Sequence, residues 1–415
     1  MHDAAKPELG LSKRVQSMPE ALSIYINNLI LKLRSSGKHV ITLSLGEPYF
    51  DLPLEGFTQE EMQTGLHYSD SLGIPELRAR IADYYGQTFR ASIDPNSELI
   101  VSAGSKPLIF MALQTILEPD DEVLIHEPAW LSYPEQVKLA GGVPVYIPCS
   151  CNARDFGKYV TSRTKAIILN NPNNPAGRVY SSSELEAVYS IFRANGAYVI
   201  VDESYGDFCN DGVFESMASL VPEKDDIIVI NSLSKCFGMS GWRIGFCIAN
   251  PEVVYGILKL NQHLITCAPT MLQHYVARNF DNIRNAVSPQ IKAVVELRER
   301  VKDHVEEAGF RTMGGSATFY LFVDVSEYGR QSLDLAMHLL FKHGIGVVPG
   351  SAYGSSTEGF VRIGVGVESY ETIVHAIDVM RDVVVSGAYD KECVATGLAS
   401  IGCKRFAPTN YGSLL

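Results

Sequence analysis

The sequence predicts an α/β protein built on a mainly parallel seven-stranded sheet. Between about residues 97 and 250, short runs rich in valine and isoleucine alternate with amphipathic stretches. The runs are apolar on both faces, which is typical of strands in a buried parallel sheet. A capping-box pattern, Ser181-Ser182-Ser183-Glu184, begins a helix between two of these runs, and that helix ends near Gly196. Repeated strand, helix and strand give right-handed crossovers, so a doubly wound large domain is expected.

The strand candidates of this domain are short and share the same apolar composition. They lie at residues 99–101, 122–125, 143–147, 166–169, 198–201, 227–230 and 246–249. Each is bounded by turn-forming or polar residues, as buried strands are.

A second, smaller α/β domain is predicted after a charged amphipathic stretch at residues 290–308. The hydrophobic residues of that stretch recur at helical spacing, so it leads out of the large domain as a helix. Strands at 319–323, 346–348 and 361–363 and helices near 333–343 and 371–385 then make up the small domain.

We divide the chain into four parts on these patterns. The final part lacks periodicity and is rich in small residues, which is typical of a surface tail. The parts are an N-terminal segment that joins the small domain (1–55), the large domain (56–300), the small domain (301–385) and the tail (386–415).

Composition excludes several classes of partner. The formal net charge is −12, whereas nucleic-acid binding requires a basic face. No stretch approaches the roughly 20 apolar residues of a membrane span, and the N-terminus lacks the apolar region of a secretory signal. The eight cysteines form no C-x-x-C pair and no zinc-type cluster. We expect a cytoplasmic protein that binds neither nucleic acid, membrane nor metal.

Three successive strand candidates end in polar and reactive groups. Open α/β sheets bind ligands at the carboxyl ends of their strands, so these groups are expected to converge on one site. The three stretches are Asn170 to Gly177, Asp202-Glu203-Ser204-Tyr205, and Asn231-Ser232-Leu233-Ser234-Lys235 with Gly238, Gly241 and Arg243 beyond it.

Two of these stretches carry a family resemblance. The Schiff-base lysine signature of class I aminotransferases resembles the stretch Ser232-x-Ser234-Lys235-x-x-Gly238-Met239-Ser240-Gly241-Trp242-Arg243-x-Gly245. Asn171-Pro172-Asn173-Asn174-Pro175-Ala176-Gly177 resembles the N-P-x-N-P-T-G element of the same family. The chain is similar to the bacterial and archaeal aspartate/aromatic branch from about residue 11 to 385. The resemblance implies the fold-type I transferase fold and the cofactor pyridoxal 5'-phosphate (PLP).

The resemblance also implies three catalytic side chains. Lys235 would bond covalently to PLP and, once displaced, move a proton between Cα and C4′; this requires a lowered pKa. Asp202 would pair with the pyridine nitrogen and keep it protonated. Tyr205, together with Asn174, would donate to the phenolic O3′. The alternatives are a surface lysine, a turn aspartate, a core tyrosine and a turn-forming asparagine.

The phosphate of PLP needs several donors. Gly104 precedes a helix that is expected to start near Pro107, and backbone N–H groups at a helix start bind anions well. A hydroxyl and a planar guanidinium would add to them. By resemblance, the phosphate-binding residues on the same chain are Ser105, Lys106, Ser232 and Arg243.

Further roles follow from the resemblance alone. Tyr68 would reach the phosphate of a neighbouring subunit, which implies a homodimer with shared active sites. Trp130 would stack on the cofactor ring and contact substrate, unless it is a core residue. Arg362 would bind the substrate α-carboxylate through two parallel hydrogen bonds, unless it forms a structural ion pair. Gly46 would let the N-terminal segment pass close to substrate, and Asn174 would also contact the substrate.

The chain departs from the family pattern at the side-chain pocket. Ala176 replaces the usual threonine or serine, which removes a hydroxyl. Lys106 matches a lysine that recognises a distal carboxylate in some members, but Gln114 stands where those members carry a second lysine. An acidic substrate therefore stays open.

The leading hypothesis is a ping-pong aminotransferase that moves an α-amino group from an amino acid to a 2-oxo acid. A second hypothesis keeps the fold and PLP but makes the enzyme a lyase, cyclase or oxidase of a specialised biosynthetic pathway, because Cα deprotonation is common to all of these. A third is a non-catalytic binding module, which would form no lysine adduct.

Overall fold

The computed structural model describes residues 10–210 and 214–403. The helices are α1 (Lys13–Gln16), α2 (Leu22–Ser35), α3 (Gln59–Thr64), α4 (Pro75–Phe89), α5 (Ser105–Ile116), α6 (Ser132–Leu139), α7 (Ser182–Ala194), α8 (Met217–Leu220), α9 (Leu233–Cys236), α10 (Pro251–Leu264), α11 (Thr270–Glu307), α12 (Ser332–His343), α13 (Tyr370–Ser386) and α14 (Lys391–Ser400). The strands are β1 (Ile41–Thr42), β2 (Leu99–Ser102), β3 (Glu122–His126), β4 (Val143–Ile147), β5 (Thr164–Asn170), β6 (Tyr198–Asp202), β7 (Ile227–Ser232), β8 (Gly245–Ala249), β9 (Arg311–Thr312), β10 (Tyr320–Asp324), β11 (Ile345–Gly346), β12 (Val348–Pro349) and β13 (Phe360–Gly364).

The large sheet has seven strands in the order β2-β8-β7-β6-β5-β3-β4. Strands β4, β3, β5, β6 and β7 are parallel, whereas β8 runs antiparallel to both of its neighbours. The central strands of the large sheet are buried on both faces, and helices cover them. All seven strand candidates of the sequence occur, each within two residues of its expected ends. The α/β fold class is confirmed.

A local sequence signal explains where α7 begins, whereas α11 extends well beyond its expected start. The Ser181 hydroxyl accepts the backbone N–H of Glu184 and the Glu184 carboxylate accepts that of Ser181, so α7 begins with the expected capping box. The predicted helix at 290–308 is only the second half of α11, which continues N-terminally through Pro289 to Thr270. Within the described ranges, no helix is long and apolar enough to cross a membrane.

The smaller unit is an antiparallel sheet, β12-β13-β10-β9, with α12 and α13 packed beside it. Strand β1 pairs in parallel with β11, so the N-terminal segment lies with this unit. The prediction of one strand at 346–348 is wrong, since β11 and β12 are separate two-residue strands in different sheets. The four-part division of the chain stays a prediction.

The final part of the chain, expected to be a surface tail, contains a helix with buried side chains. Residues 391–400 form α14, and the Asp390 side chain caps its first turn. Val394 and Leu398 are buried with side chains of α2 and α12. Gly397 lies so close to Phe341 that a Cβ there would stand 2.2 Å from the ring. Tertiary packing therefore stabilises a helix that its own periodicity does not reveal. Residues 404–415 lie outside the described part.

Candidate active site

The carboxyl ends of β5, β6 and β7 meet at one edge of the large sheet. Asn170 at the end of β5 is paired in register with Asp202 at the end of β6. A cavity of about 260 Å³ opens there, and the start of α5, the start of α2 and β13 close its other sides. Residues from both sheets therefore share one cavity, although they are far apart in the chain.

Lys235 projects into this cavity from α9, directly after β7. Its Nζ donates to the carbonyl oxygen of Gly46 at 2.5 Å. Burial, together with the charges of Arg362 and Arg243, lowers the pKa of Lys235 to about 8 against the opposing charge of Glu47. The neutral amine, which is the nucleophilic form, is therefore accessible near neutral pH.

Asp202 is buried at the end of β6 and accepts donors on both carboxylate oxygens. Oδ1 accepts the Ser204 backbone N–H at 3.1 Å and the Ser204 hydroxyl at 2.6 Å. Oδ2 accepts the hydroxyl of Tyr133 at 2.8 Å. Burial raises the pKa of Asp202, and these donors together with Lys235 oppose that rise.

Tyr205 places a second hydroxyl in the cavity. Its Oη accepts Nδ2 of Asn174 at 3.4 Å and lies 3.2 Å from the hydroxyl of Tyr320. Burial, with the neighbouring Tyr320, raises the pKa of Tyr205 well above its ordinary value. The hydroxyl therefore remains protonated and can donate to a bound oxygen.

Arg362 reaches the cavity from β13 and is held in a fixed orientation. Nη1 donates to Oδ1 of Asn174 at 3.1 Å, and Nη2 donates to the carbonyl of Ser44 at 2.7 Å. The guanidinium carbon lies 4.3 Å from the ring centroid of Tyr320. A buried cation of this planar shape suits a carboxylate ligand.

The opposite end of the cavity is suited to an anion. Helix α5 begins at Ser105, two residues before the expected start, and Gly104 provides no side-chain cap. The guanidinium of Arg243 lies against Gly104, because a Cβ on that glycine would stand 2.3 Å from Nη2. Lys106 holds its ammonium 4.9 Å from the ring centroid of Trp130. Backbone N–H groups and two cations thus face one end.

Comparison with known proteins identifies the family. The family model described as aminotransferase class I and II matches residues 38–379 of the chain. The chain belongs to this family. An aspartate aminotransferase of Pyrococcus abyssi is 35% identical over 359 residues, which are 84% of this chain and 92% of that protein. Aromatic-amino-acid aminotransferase 2 of Thermococcus litoralis is 34% identical over 83% of this chain and 92% of its own length.

A solved structure agrees with this assignment. The aspartate aminotransferase of Thermus thermophilus with maleate superposes with a TM-score of 0.81 at 30% identity. The match covers 92% of this chain and 100% of that chain. The protein is therefore an aminotransferase with the fold-type I transferase fold, and the alternative of a non-catalytic module is not supported.

Nearly all of the site residues expected from the sequence of this aminotransferase line one cavity, although their individual roles stay predictions. Among residues 10–210 and 214–403, no group of three or more His, Cys, Asp or Glu side chains is placed to hold a metal ion. The expected residues that line the cavity are Gly46, Ser105, Lys106, Trp130, Asn174, Asp202, Tyr205, Ser232, Lys235, Arg243 and Arg362.

Tyr68 does not line this cavity. Its side chain is 85% exposed on the surface of the aminotransferase. The expectation that it serves a neighbouring subunit is compatible with this exposure and stays a prediction.

Sequence reasoning did not single out several residues that line the aminotransferase cavity. Tyr133 lies in the first turn of α6, three residues after Trp130, and carries no motif. Tyr320 is the first residue of β10 and carries no motif. Ser23, Ile24 and Asn27 come from α2, and nothing local in their sequence indicates a site.

Proposed function

We propose that this aminotransferase binds PLP through a covalent bond to Lys235 and transfers amino groups by a ping-pong mechanism. The observation that carries the proposal is the placement of three groups around one cavity. The amino group of Lys235, the carboxylate of Asp202 and the guanidinium of Arg362 all line it. These are the groups that an amino acid and a pyridine cofactor need together.

The residues present fit PLP. The anion end, with Ser105, Ser232 and Arg243, suits the phosphate, and Asp202 suits the ring nitrogen. The Tyr205 hydroxyl suits the phenolic oxygen. When bound, PLP supplies an aldehyde that bonds to amines and a protonated ring that accepts electrons from Cα.

The chain's own residues would then have separate roles in the reaction. Arg362 binds the α-carboxylate and so places Cα near Lys235. The Lys235 amine accepts the proton from Cα and delivers it to C4′ of the cofactor. Asn174 would hold both Arg362 and Tyr205 in place, since it bonds to each of them.

A lyase, cyclase or oxidase activity is not favoured. The relatives with 35% and 34% identity are named as aminotransferases of aspartate and of aromatic amino acids. We infer that amino acids of these two kinds are the donors to test first. The Lys106 ammonium suits a distal carboxylate, whereas Trp130 suits an aromatic side chain.

A larger cleft of about 640 Å³ adjoins the cavity and shares Lys106, Leu131 and Ser132 with it. We infer that bulky donor side chains extend into this cleft. Leu139→Trp, which narrows it, should lower kcat/KM for aromatic donors about tenfold more than for aspartate, on the scale of burying a large side chain. Leu31→Trp, at a 62% exposed position, is the control. Equal losses for both donor classes would contradict the inference.

We also propose a homodimer whose two active sites are completed across the interface. The exposed Tyr68 and the neighbouring exposed Leu66 (80%) support this, because adjacent exposed apolar side chains mark interaction surfaces. Light scattering of the wild-type protein measures the subunit number. Activity regained on mixing inactive Tyr68→Phe and Lys235→Ala chains would indicate shared sites.

The function is tested by absorbance scans of the PLP-loaded enzyme with a panel of amino acids and no acceptor. Conversion of the lysine-bound PLP band to the pyridoxamine phosphate band identifies donors. Lys235→Ala should lose the lysine-bound band, whereas Lys138→Ala, at a surface ion pair with Glu135, should keep it. Borohydride-fixed PLP on another peptide would contradict the anchor. Ammonia release without a 2-oxo acid would contradict transamination.

A further inference from the structure

Tyr133 is the one side chain that donates to Oδ2 of Asp202 among the hydrogen bonds of the described residues. The two residues are 69 positions apart, so the fold rather than the local chain joins them. Tyr133 is 1% exposed and Asp202 is 7% exposed. The Ser204 donors bind only Oδ1. Without Tyr133, therefore, one oxygen of a buried carboxylate would lose its protein donor.

The hydroxyl of Tyr133 favours only the ionised form of Asp202. Burial, and the charge of Asp202 itself, raise the pKa of Tyr133 well above its ordinary value, so the hydroxyl keeps its proton and acts as a donor. A donor stabilises a carboxylate but not the protonated acid in the same geometry. Burial alone acts in the opposite direction and favours the neutral acid.

The other titratable groups that face Asp202 do not replace this donor. Lys235 lowers the pKa of Asp202 through its charge, but its amine donates to the Gly46 carbonyl and not to the carboxylate. Glu203 and Tyr205 interact with Asp202 only as neighbouring acids. Tyr133 and Ser204 are thus the protein groups that donate hydrogen bonds to this carboxylate among the described residues.

The ring of Tyr133 also contacts the other wall of the cavity. It packs edge-on against Trp130, with ring centroids 5.2 Å apart and an interplanar angle of 76°. One side chain therefore touches both the carboxylate expected at the ring nitrogen and the aromatic residue expected to stack on the cofactor ring.

We propose that Tyr133 is a positioning residue that keeps Asp202 ionised and oriented toward the ring nitrogen of the cofactor. It acts through Asp202 and does not itself touch the reacting atoms. The inference rests on the proposed function, because an ionised Asp202 matters only if a pyridine nitrogen is held there.

Tyr133→Phe tests the inference, because phenylalanine keeps the ring contact with Trp130 and removes only the hydroxyl. In the PLP-loaded enzyme, kcat should fall about 10- to 100-fold, as expected for a lost hydrogen bond to a charged group. KM for the donor should change less than about twofold, since Arg362 is untouched. The acid limb of the kcat/KM profile should move up by about one pH unit.

A second measurement does not depend on turnover. The affinity of the cofactor-free variant for PLP is followed by fluorescence as the pH is lowered. The variant should lose this affinity at a higher pH than the wild type does. Tyr84→Phe is the matched control, because buried Tyr84 donates to half-buried Asp207, a pair that does not line the cavity. It should lower thermal stability and leave both pH profiles unchanged.

Unchanged pH profiles and kcat in Tyr133→Phe would overturn the inference, and so would equal shifts in Tyr84→Phe. If Tyr133→Phe does not fold, Ser204→Ala takes its place, since its hydroxyl donates to the same carboxylate and the acid limb should move in the same direction; an unmoved limb overturns the inference. A wild-type enzyme that never exchanges amino groups with PLP would instead refute the proposed function.

Discussion

Capture of PLP by the cofactor-free enzyme should accelerate with pH around a midpoint near 8. The reason is the buried amine of Lys235, whose pKa is lowered to about 8. At pH 7.5 this leaves roughly a quarter of the amine neutral, against about one part in a thousand for an ordinary lysine. The reactive fraction is therefore on the order of 200-fold larger than at a surface lysine.

The assay is stopped-flow absorbance after mixing with PLP between pH 6 and 10, followed by borohydride reduction and peptide mapping. Glu47→Gln removes a charge that raises the pKa of Lys235, so it should move the midpoint below that of the wild type. Glu186→Gln, at an exposed position on α7, should leave it unchanged. A wild-type midpoint above 10, or a Glu47→Gln midpoint moved upward, would refute the reasoning.

Three further predictions concern stability. Gly245→Ala should cost about 1–3 kcal/mol and weaken PLP binding, because a Cβ there would stand 2.4 Å from the backbone of Ser105; Gly241→Ala, with no atom within 4 Å, is the control in thermal unfolding and PLP titration. Burial raises the pKa of Glu203 to about 7, so the stability that it contributes is present below its unfolded pKa and is lost as pH rises through 7. The unfolding free energy of Glu203→Gln should therefore rise by about 2–3 kcal/mol relative to that of the wild type between pH 5 and pH 8. The same difference in unfolding free energy between the two proteins at pH 5 and at pH 8 would exclude this. Leu398→Ala should lower the unfolding free energy by about 2–5 kcal/mol, measured against Val385→Ala at a 77% exposed site.

The sheet was predictable because its strands are apolar on both faces and regularly separated by amphipathic helices. Helix α14 was not, because its sequence KECVATGLAS is interrupted by a glycine and two β-branched residues and has no clear apolar stripe. Its stability comes from Val394 and Leu398 packing with α2 and α12, which are distant in the chain. Long-range packing of this kind leaves no local signal.

The residues of the site also fall into two groups, those that the sequence predicts and those that it does not. Asp202 ends β6 and Lys235 lies three residues after the end of β7, so sheet topology brings them together. Tyr133 and Tyr320 reach the cavity from α6 and β10, and only the packing of those elements on the sheet decides where their hydroxyls lie. Ser23 and Asn27 depend on how α2 packs across the cavity. No rule about strand ends identifies residues of this second kind.

The reversed direction of β8 has a consequence for how such a site can be built and changed. Because β8 runs against β7, the chain leaves Lys235, turns, and re-enters the sheet at Gly245 on the same rim. Lys235 and Arg243 therefore lie in one segment of nine residues that both begins and ends at this rim. An insertion within this segment would change the spacing between the Lys235 amine and the Arg243 guanidinium, whereas insertions in the distant helices would leave that spacing along the chain unchanged.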